Sequence, residues 1–187
     1  GGNDGGPGSL EKPWKTLAKA AQSLGPGDKV QIRAGTYAEQ VRPAQSGRKD
    51  APIVYQGYPG EEAVIDGASL KLMEWAGLVV VENHSWIEIR DLHVRNSGPH
   101  SGDSGILVQG CEHILIQGNH TKNTASSGIG VWRSKDVKIL GNEVELACDD
   151  GSQECITVAV TDGFEIAGNL VHNGGPGSRG GEGIDVK

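Results

Sequence analysis

The sequence predicts an all-β fold, a parallel β-helix in which short strands wind into stacked coils. Two observations predict it. The 187 residues include 30 glycines and 8 prolines but only 4% aromatic residues, a composition typical of many short strands joined by tight turns. A repeat without any helical pattern also recurs through the second half of the chain. The length suffices for one domain with a core, so we expect a single domain over residues 1–187.

The repeat becomes visible when three segments are aligned. They are SGILVQGCEHILIQGNHTKNT from residue 104, SGIGVWRSKDVKILGNEVELA from 127 and ECITVAVTDGFEIAGNLVHNG from 154, and EGIDVK from 182 begins a fourth copy. The leading isoleucines are Ile106, Ile129, Ile156 and Ile184, separated by 23, 27 and 28 residues. A unit this short cannot bury its apolar face alone, but it can when each copy stacks on the last as one coil of a solenoid.

A Gly-Asn step closes each full copy, at Asn119, Asn142 and Asn169. Asparagine tolerates the left-handed conformation of turns. Because the three asparagines occupy equivalent positions, we expect them to stack at one corner of the coils, where side-chain amides can bond to one another along the axis.

The N-terminal segment, residues 1–27, contains the one helical pattern. We predict an amphipathic helix over Pro13–Leu24 that covers the open end of the first coil, with proline in its first turn and Gly25 just after it. The coils then occupy residues 28–187. The apolar positions at helical spacing are Trp14, Leu17, Ala18, Ala21 and Leu24.

Charge excludes some partners. The formal net charge is −7, which provides no basic field for a phosphate backbone, so nucleic acid is excluded as a partner. No run of 18 apolar residues exists to span a membrane. An acidic polymer would need local lysines or a bridging cation. A secreted or cell-surface location is the expectation.

Three cysteines add to the expectation of export. Cys148 and Cys155 flank the acidic loop CDDGSQEC, and this spacing could close a small disulfide ring; two reduced, buried thiols are the alternative. Cys111 is then left over, and we expect it to be buried.

Two N-terminal runs carry a family resemblance. GNDGGPGSLEKPWKTLAKAAQSLGPGDKVQIRAGTYAEQV and SGRKDAPIVYQGYPGEEAVIDG, within Gly2–Gly67, resemble the N-terminal segment of right-handed parallel β-helix proteins of the pectate-lyase-like superfamily. The resemblance implies a right-handed coil. It implies no single activity, since this fold hosts lyases, hydrolases, epimerases and non-catalytic sugar binders.

Aligning the copies predicts which side chains share the outer face. Alternate residues of a strand point outward, and equivalent residues of neighbouring coils lie about 4.8 Å apart. We expect Trp132, with Gln109 and Arg133, to contact a sugar chain. The three predicted outward columns are Ser104, Ser127, Glu154 and Glu182; Leu107, Gly130, Thr157 and Asp185; and Gln109, Trp132, Ala159 and Lys187.

Acidic side chains near the last coils form a predicted Ca²⁺ site, because carboxylate oxygens are the ligands that this ion prefers. Stacked carboxylates such as Glu154 and Glu182 repel one another unless a cation or a lysine lies between them. An ordinary solvated face, or an acidic turn without metal, is the alternative. The candidate calcium ligands are Asp149, Asp150, Glu154, Glu182 and Asp185.

The segment EGIDVK resembles an Asp-Gly-apolar-x-x-Lys segment of family-nine-like pectate lyases. That resemblance implies Lys187 as the base that takes a sugar proton, with Glu182 and Asp185 beside it as further catalytic candidates. The family's aspartate cluster is matched only loosely, by Asp149 and Asp150. For this role the pKa of the lysine must fall toward neutrality, which adjoining carboxylates oppose unless calcium neutralises them.

Three functions follow as hypotheses. The first is a calcium-assisted lyase of an acidic polysaccharide, the second a non-catalytic polysaccharide-binding β-helix, and the third a glycosidase with paired carboxylates. Residues 182–187 begin a coil whose second strand is absent. We therefore expect either further coils in a longer protein or end-to-end association of chains. The histidines show no metal-ligand spacing, so solvated or capping roles are expected for them.

Overall fold

The computed structural model describes residues 1–149, 153–175 and 182–187. Within these residues the chain forms one short helix and seventeen strands, so the predicted all-β solenoid is confirmed. The helix is α1 (Leu17–Ser23). The strands are β1 (Lys29–Ile32), β2 (Gly35–Tyr37), β3 (Ile53–Gly57), β4 (Ala63–Asp66), β5 (Gly77–Glu82), β6 (Ser85–Arg90), β7 (His93–Ser97), β8 (Ser104–Gln109), β9 (Glu112–Gln117), β10 (His120–Thr124), β11 (Ile129–Trp132), β12 (Lys135–Leu140), β13 (Glu143–Ala147), β14 (Ile156–Ala159), β15 (Asp162–Ala167), β16 (Leu170–His172) and β17 (Ile184–Val186).

The strands form three parallel sheets that run along the solenoid. Sheet A has the order β1-β3-β6-β9-β12-β15, sheet B has β2-β4-β7-β10-β13-β16, and sheet C has β5-β8-β11-β14-β17. The second to sixth coils therefore each contribute one strand to each sheet, and the first coil contributes strands to sheets A and B only. Within a sheet, each strand pairs with its equivalents in the neighbouring coils. A residue's neighbours on the surface are consequently set by the coil length.

The core is a stack of aliphatic side chains inside the coils. Ile106 pairs with Ile129 and Ile129 with Ile156, in the register that the repeat predicts, and all three are fully buried. Ile184 continues this stack beside Ile156. Ile184 is 46% exposed and Val186 is 48% exposed, because no coil follows on that side within the described residues.

The predicted asparagine ladder is confirmed. Nδ2 of Asn119 donates to Oδ1 of Asn142 at 3.0 Å, and Nδ2 of Asn142 donates to Oδ1 of Asn169 at 2.9 Å. The same oxygens accept the backbone N–H groups of Asn119 and Asn142, and each amide also donates to a carbonyl of an earlier coil. The buried corner is thus fully hydrogen-bonded, as burial of polar groups requires.

The helix is shorter than the predicted Pro13–Leu24. It begins after Thr16, whose hydroxyl accepts the N–H of Lys19 as an N-cap. The carboxylate of Glu39 accepts the N–H groups of Leu17 and Ala18, so residues before Thr16 are not needed to complete the first turn. Buried Leu17 and Ala21 join the same apolar core as Ile32 of the first coil, as expected for a helix that covers this end of the solenoid.

None of the helices among residues 1–149, 153–175 and 182–187 is both long enough and apolar enough to cross a membrane.

Candidate functional site

The outer face of sheet C brings the predicted columns together. Gln109 pairs with Trp132 and Trp132 with Ala159, while Gly130 pairs with Thr157. Strand β17 adds Asp185 beside Thr157. Lys187 follows β17, and its backbone N–H donates to the carbonyl of Val158 at 2.9 Å, so the last residue keeps the register. The alignment of the repeats therefore predicted these neighbours correctly.

A buried carboxylate lies at the centre of this face. The side chain of Glu154 is only 6% exposed, and its Oε1 accepts a hydrogen bond from Nζ of Lys187 at 2.7 Å. Its Oε2 accepts the hydroxyl proton of Thr157 at 2.9 Å. Since a hydroxyl has one proton, Ser127 must be the donor in its 2.8 Å contact with Thr157. The four side chains form one chain of hydrogen bonds across three coils.

The charges of this network are mutually dependent. Burial raises the pKa of Glu154, but the hydrogen bonds from Lys187 and Thr157 outweigh it, and the net pKa is lowered. The hydrogen bond to Glu154 raises the pKa of Lys187, and Asp185, 3.7 Å from Nζ, acts in the same direction. Lys187 is therefore held as an ammonium ion in this arrangement, which is the opposite of what a base needs.

The three residues predicted to bind a sugar chain lie beside this network. Trp132 is half-buried, and its indole covers the backbone of Gly130, where a Cβ atom would collide with the ring. Gln109 is exposed on the neighbouring strand, and Arg133 is exposed at the turn after Trp132. An accessible indole face between polar groups can stack on a pyranose ring.

The remaining predicted residues are less closely joined. Glu182 is exposed, and its carbonyl accepts the N–H of Cys155, the parallel-strand pattern that places Glu182 in register with Glu154, as the repeat predicts. Asp149 is exposed in the turn after β13. Asp150 lies outside the described residues. The calcium-binding roles of Asp149, Asp150, Glu154, Glu182 and Asp185 stay a prediction.

The predicted disulfide partners lie beside each other. Cys148 and Cys155 are both buried, and the structure holds them as thiols. The hydrogen bond between the two sulfur atoms, together with burial, raises the pKa of the Cys148 thiol. Proximity across the acidic loop is therefore as expected, and formation of the bond stays a prediction. Cys111 is buried as expected.

Comparison with known proteins now identifies the family. A family model described as the Pel9A-like, right handed beta helix region matches residues 1–175. The chain belongs to this Pel9A-like family. Its right-handed coil and its resemblance to pectate-lyase-like proteins are thereby confirmed. The match ends before residues 182–187, which contribute Asp185 and Lys187 to the candidate site.

Two curated relatives resemble this Pel9A-like chain. The uncharacterized protein YwoF of Bacillus subtilis (strain 168) is 34% identical over 92% of this chain and 40% of its own length. Pectate lyase PEL9 of Emericella nidulans is 31% identical over 82% of this chain and 43% of its own length. The chain thus spans about two fifths of the length of these relatives.

Solved structures share the fold at low identity. Pectate lyase Pel9A superposes with a TM-score of 0.68 at 16% identity, over 90% of this chain and 45% of that one. A rhamnogalacturonan lyase superposes with a TM-score of 0.73 at 17% identity, over 98% of this chain and 60% of that one. At these identities the superpositions establish the fold of the Pel9A-like chain and nothing further.

Sequence reasoning missed a groove on the outer face of sheet A. It has a volume of about 600 Å³, and Trp86 stacks on His113 at its edge with ring centroids 3.9 Å apart. Both residues adopt positive φ values, 60° and 55°, where their strands bulge. The segment from residue 78, which contains Trp86, fits the repeat less well than the copies from residue 104 onward, so the alignment did not pair Trp86 with His113. Their shared position before Ile87 and Ile114 was the available signal.

Proposed function

We propose that this protein acts on an acidic polysaccharide as a calcium-assisted lyase, with the outer face of sheet C as its active surface. The observation that carries the proposal is the accessible Lys187, held between the carboxylates of Glu154 and Asp185 on the same face as the half-buried indole of Trp132. Membership of the Pel9A-like family and the likeness to pectate lyase PEL9 support this substrate class. A polymer of this kind is met outside the cell, so the proposal includes export.

The sugar chain would lie across the coils. Trp132 offers its indole face to a pyranose ring, and the guanidinium of Arg133 can form paired hydrogen bonds with a uronate carboxylate. Gln109 extends this polar and aromatic surface by one coil. Because the net charge is −7, such local cationic contacts are needed to hold an acidic polymer.

The carboxylate oxygens of the site are ligands that suit a hard cation such as Ca²⁺. The ammonium group of Lys187 already lies 2.7 Å from Glu154 and 3.7 Å from Asp185, which shows where positive charge is stabilised. Glu154 and Asp185, with Glu182, Asp149 and Asp150, would hold Ca²⁺ through oxygen ligands. When bound, the ion would neutralise the uronate carboxylate and so make the adjacent C5 proton more acidic.

Lys187 would take the C5 proton. The electron pair of that C–H bond then forms the C4–C5 double bond, and the glycosidic oxygen leaves C4 with its bonding pair and takes a proton from water. The amine must be neutral for this step. Its hydrogen bond to Glu154 raises its pKa and opposes the step. The proposal therefore requires Glu154 to exchange Lys187 for another cation when the substrate binds.

Ultraviolet absorbance of the unsaturated uronate tests the proposal directly. We expect absorbance to rise when the chain is incubated with pectate, alginate or a glycosaminoglycan in calcium, and not in chelator. Lys187→Ala should lower the rate by about 100-fold or more. Lys138→Ala is the matched control, because Lys138 also pairs with a carboxylate, Glu165 at 3.0 Å, but on sheet A.

A non-catalytic polysaccharide binder is the second candidate, and the sheet A groove favours it. The stacked Trp86 and His113 form a second aromatic surface on a different face from Lys187. A binder would retain polymers without any absorbance rise, and Trp86→Ala would weaken that retention. Reducing ends released without the absorbance rise would instead indicate a glycosidase. Either outcome would contradict the lyase proposal.

A further inference from the structure

A mixed histidine and glutamate cluster lies on the outer face of sheet B, away from the site described above. Three consecutive strands contribute to it: His120 from β10, Glu143 and Glu145 from β13, and His172 from β16. His120 pairs in register with Glu143, and Glu145 with His172. Sequence reasoning did not anticipate that these two histidines meet the same glutamate, because their spacing along the chain matches no metal motif.

The distances within the cluster are short. Nε2 of His120 lies 3.4 Å from Oε2 of Glu145 and 4.0 Å from Oε1 of Glu143. Nε2 of His172 lies 3.0 Å from the same Oε1 of Glu143. One ligand atom each from His120, Glu143 and Glu145 can be chosen so that all three lie within 4.8 Å of one another.

The His120 nitrogen is also left without a partner of its own. Its Nε2 is shielded from solvent, yet it makes no hydrogen bond of acceptable geometry to any described residue. A buried polar atom normally has a partner, because an unsatisfied one costs about 1–3 kcal/mol. Here the nitrogen faces two carboxylate oxygens across gaps that a small cation could bridge.

The distances between these ligand atoms resemble those around a metal ion with tetrahedral coordination. Ligands that bind Zn²⁺ at 2.0–2.2 Å lie about 3.3–3.5 Å from one another, close to the 3.4 and 4.0 Å separations of His120 from Glu145 and Glu143. We propose that His120, Glu143 and Glu145 hold Zn²⁺ between two consecutive coils, with water as the fourth ligand and with His172 positioning Glu143 from the next coil. Imidazole and carboxylate donors together select Zn²⁺ over Ca²⁺, which takes oxygen ligands.

Lys122 competes with the metal for one ligand. Its Nζ lies 3.0 Å from Oε2 of Glu145, the oxygen that faces His120. The lysine side chain is 45% exposed, so it can move into solvent when the metal binds. Removing its charge should therefore tighten Zn²⁺ binding, whereas a purely structural ion-pair network would only lose stability.

His172 positions Glu143 from the third coil. Its Nε2 lies 3.0 Å from Oε1 of Glu143, and its Nδ1 lies 3.0 Å from the side-chain amide of Asn173. With Nε2 as the proton donor to Glu143, Nδ1 accepts the amide N–H of Asn173, which fixes the ring. Groups that hydrogen-bond to a metal ligand in this way orient it, and losing them weakens metal binding.

Calorimetry and thermal unfolding of the tag-free, chelator-treated chain test the site. Excess Ca²⁺ is present throughout to occupy oxygen-rich sites, and Zn²⁺ is then titrated. We expect one equivalent of Zn²⁺ to bind, and Tm to rise by about 5–10 °C at 100 times the dissociation constant. Failure to bind one equivalent, or binding without a rise in Tm, would overturn the proposal.

Variants locate the bound metal. His120→Ala should weaken binding by about 100-fold and His172→Ala by at least 10-fold, and Lys122→Gln should tighten it several-fold. His113→Ala and Lys138→Gln, which break similar contacts on sheet A, should leave the affinity unchanged. Equal affinity in wild type and His120→Ala would contradict the assignment. If His120→Ala does not fold, Glu145→Gln replaces it, with the same expected loss.

Replacing Zn²⁺ by Co²⁺ tests whether the cysteine thiols, rather than the proposed site, bind the metal. Co²⁺ in the proposed site should show only the visible bands of nitrogen and oxygen ligands. An intense thiolate charge-transfer band would assign the metal to the Cys148 and Cys155 pair and would overturn the proposal.

Discussion

At the residue scale, the face of sheet C depends on one glycine. Gly130 occupies an outward position between Leu107 and Thr157, and the indole of Trp132 lies over it. A Cβ atom there would come within 2.2 Å of two ring atoms. The missing side chain thus sets how Trp132 is presented beside Glu154 and Lys187.

Gly130→Ala should displace the Trp132 ring. Because the ring is the movable partner in the collision, we expect the fold to persist while the indole turns into solvent. Its fluorescence emission should shift to longer wavelength, and binding of acidic oligosaccharides should weaken by about 10-fold, in proportion to one lost stacking contact. When Trp132→Ala is added to both the wild-type chain and the Gly130→Ala variant, the difference between their emission spectra should disappear. Unchanged emission in Gly130→Ala would contradict this account of the ring.

At the element scale, the corner between sheets A and B depends on the asparagine ladder. Asn142 makes four side-chain hydrogen bonds in a buried environment: it accepts two from Asn119 and donates to Ile116 and Asn169. Each coil is thus joined to the next by side chains in addition to the sheet hydrogen bonds. Apolar stacking alone would leave the backbone groups at this corner without partners.

Asn142→Ala should lower the free energy of unfolding by about 3 kcal/mol or more, because several buried donors and acceptors lose their partners together. Urea unfolding measures the change. Asn123→Gly is the matched control: Asn123 also bonds to an asparagine of the neighbouring coil, Asn96, but it is exposed, and glycine retains its positive φ of 53°. We expect less than about 1 kcal/mol for the control. Equal losses in the two variants would contradict a special role for the buried ladder.

At the scale of the whole molecule, the two ends of the described solenoid differ. Helix α1 packs its apolar face on the first coil. At the other end Phe164, which pairs with fully buried Val137, is 42% exposed, and Ile184 and Val186 are about half exposed. Exposed apolar side chains at the edge of a stack of coils favour association with another chain.

We therefore predict that this chain associates end to end as its concentration rises. Phe164→Ser should weaken self-association by about 10-fold, since it removes one large apolar contact. Sedimentation velocity over a concentration series measures the effect. Met73→Ser is the control, because Met73 is 83% exposed but lies far from the last coil in sequence. A monomer at every concentration would refute the prediction.

The sequence by itself determined the solenoid, because the leading isoleucines and the Gly-Asn steps recur once in every coil. Those positions correctly predicted the inward stack at Ile106 and Ile129 and the ladder at Asn119 and Asn142. The neighbours Gln109, Trp132 and Asp185 also followed, since alternation along a strand and coil spacing together define an outward column.

Only the tertiary structure decided which charged side chains meet. The columns placed Glu154 near Lys187, but the short contact between them, and the resulting rise in the pKa of Lys187, depend on side-chain conformation and burial. The sheet B cluster joins His120 to Glu143, 23 residues away, and Glu145 to His172, 27 residues away. Spacing along the chain does not reveal such pairs, because stacking of the coils places residues that are one coil apart in sequence on adjacent strands.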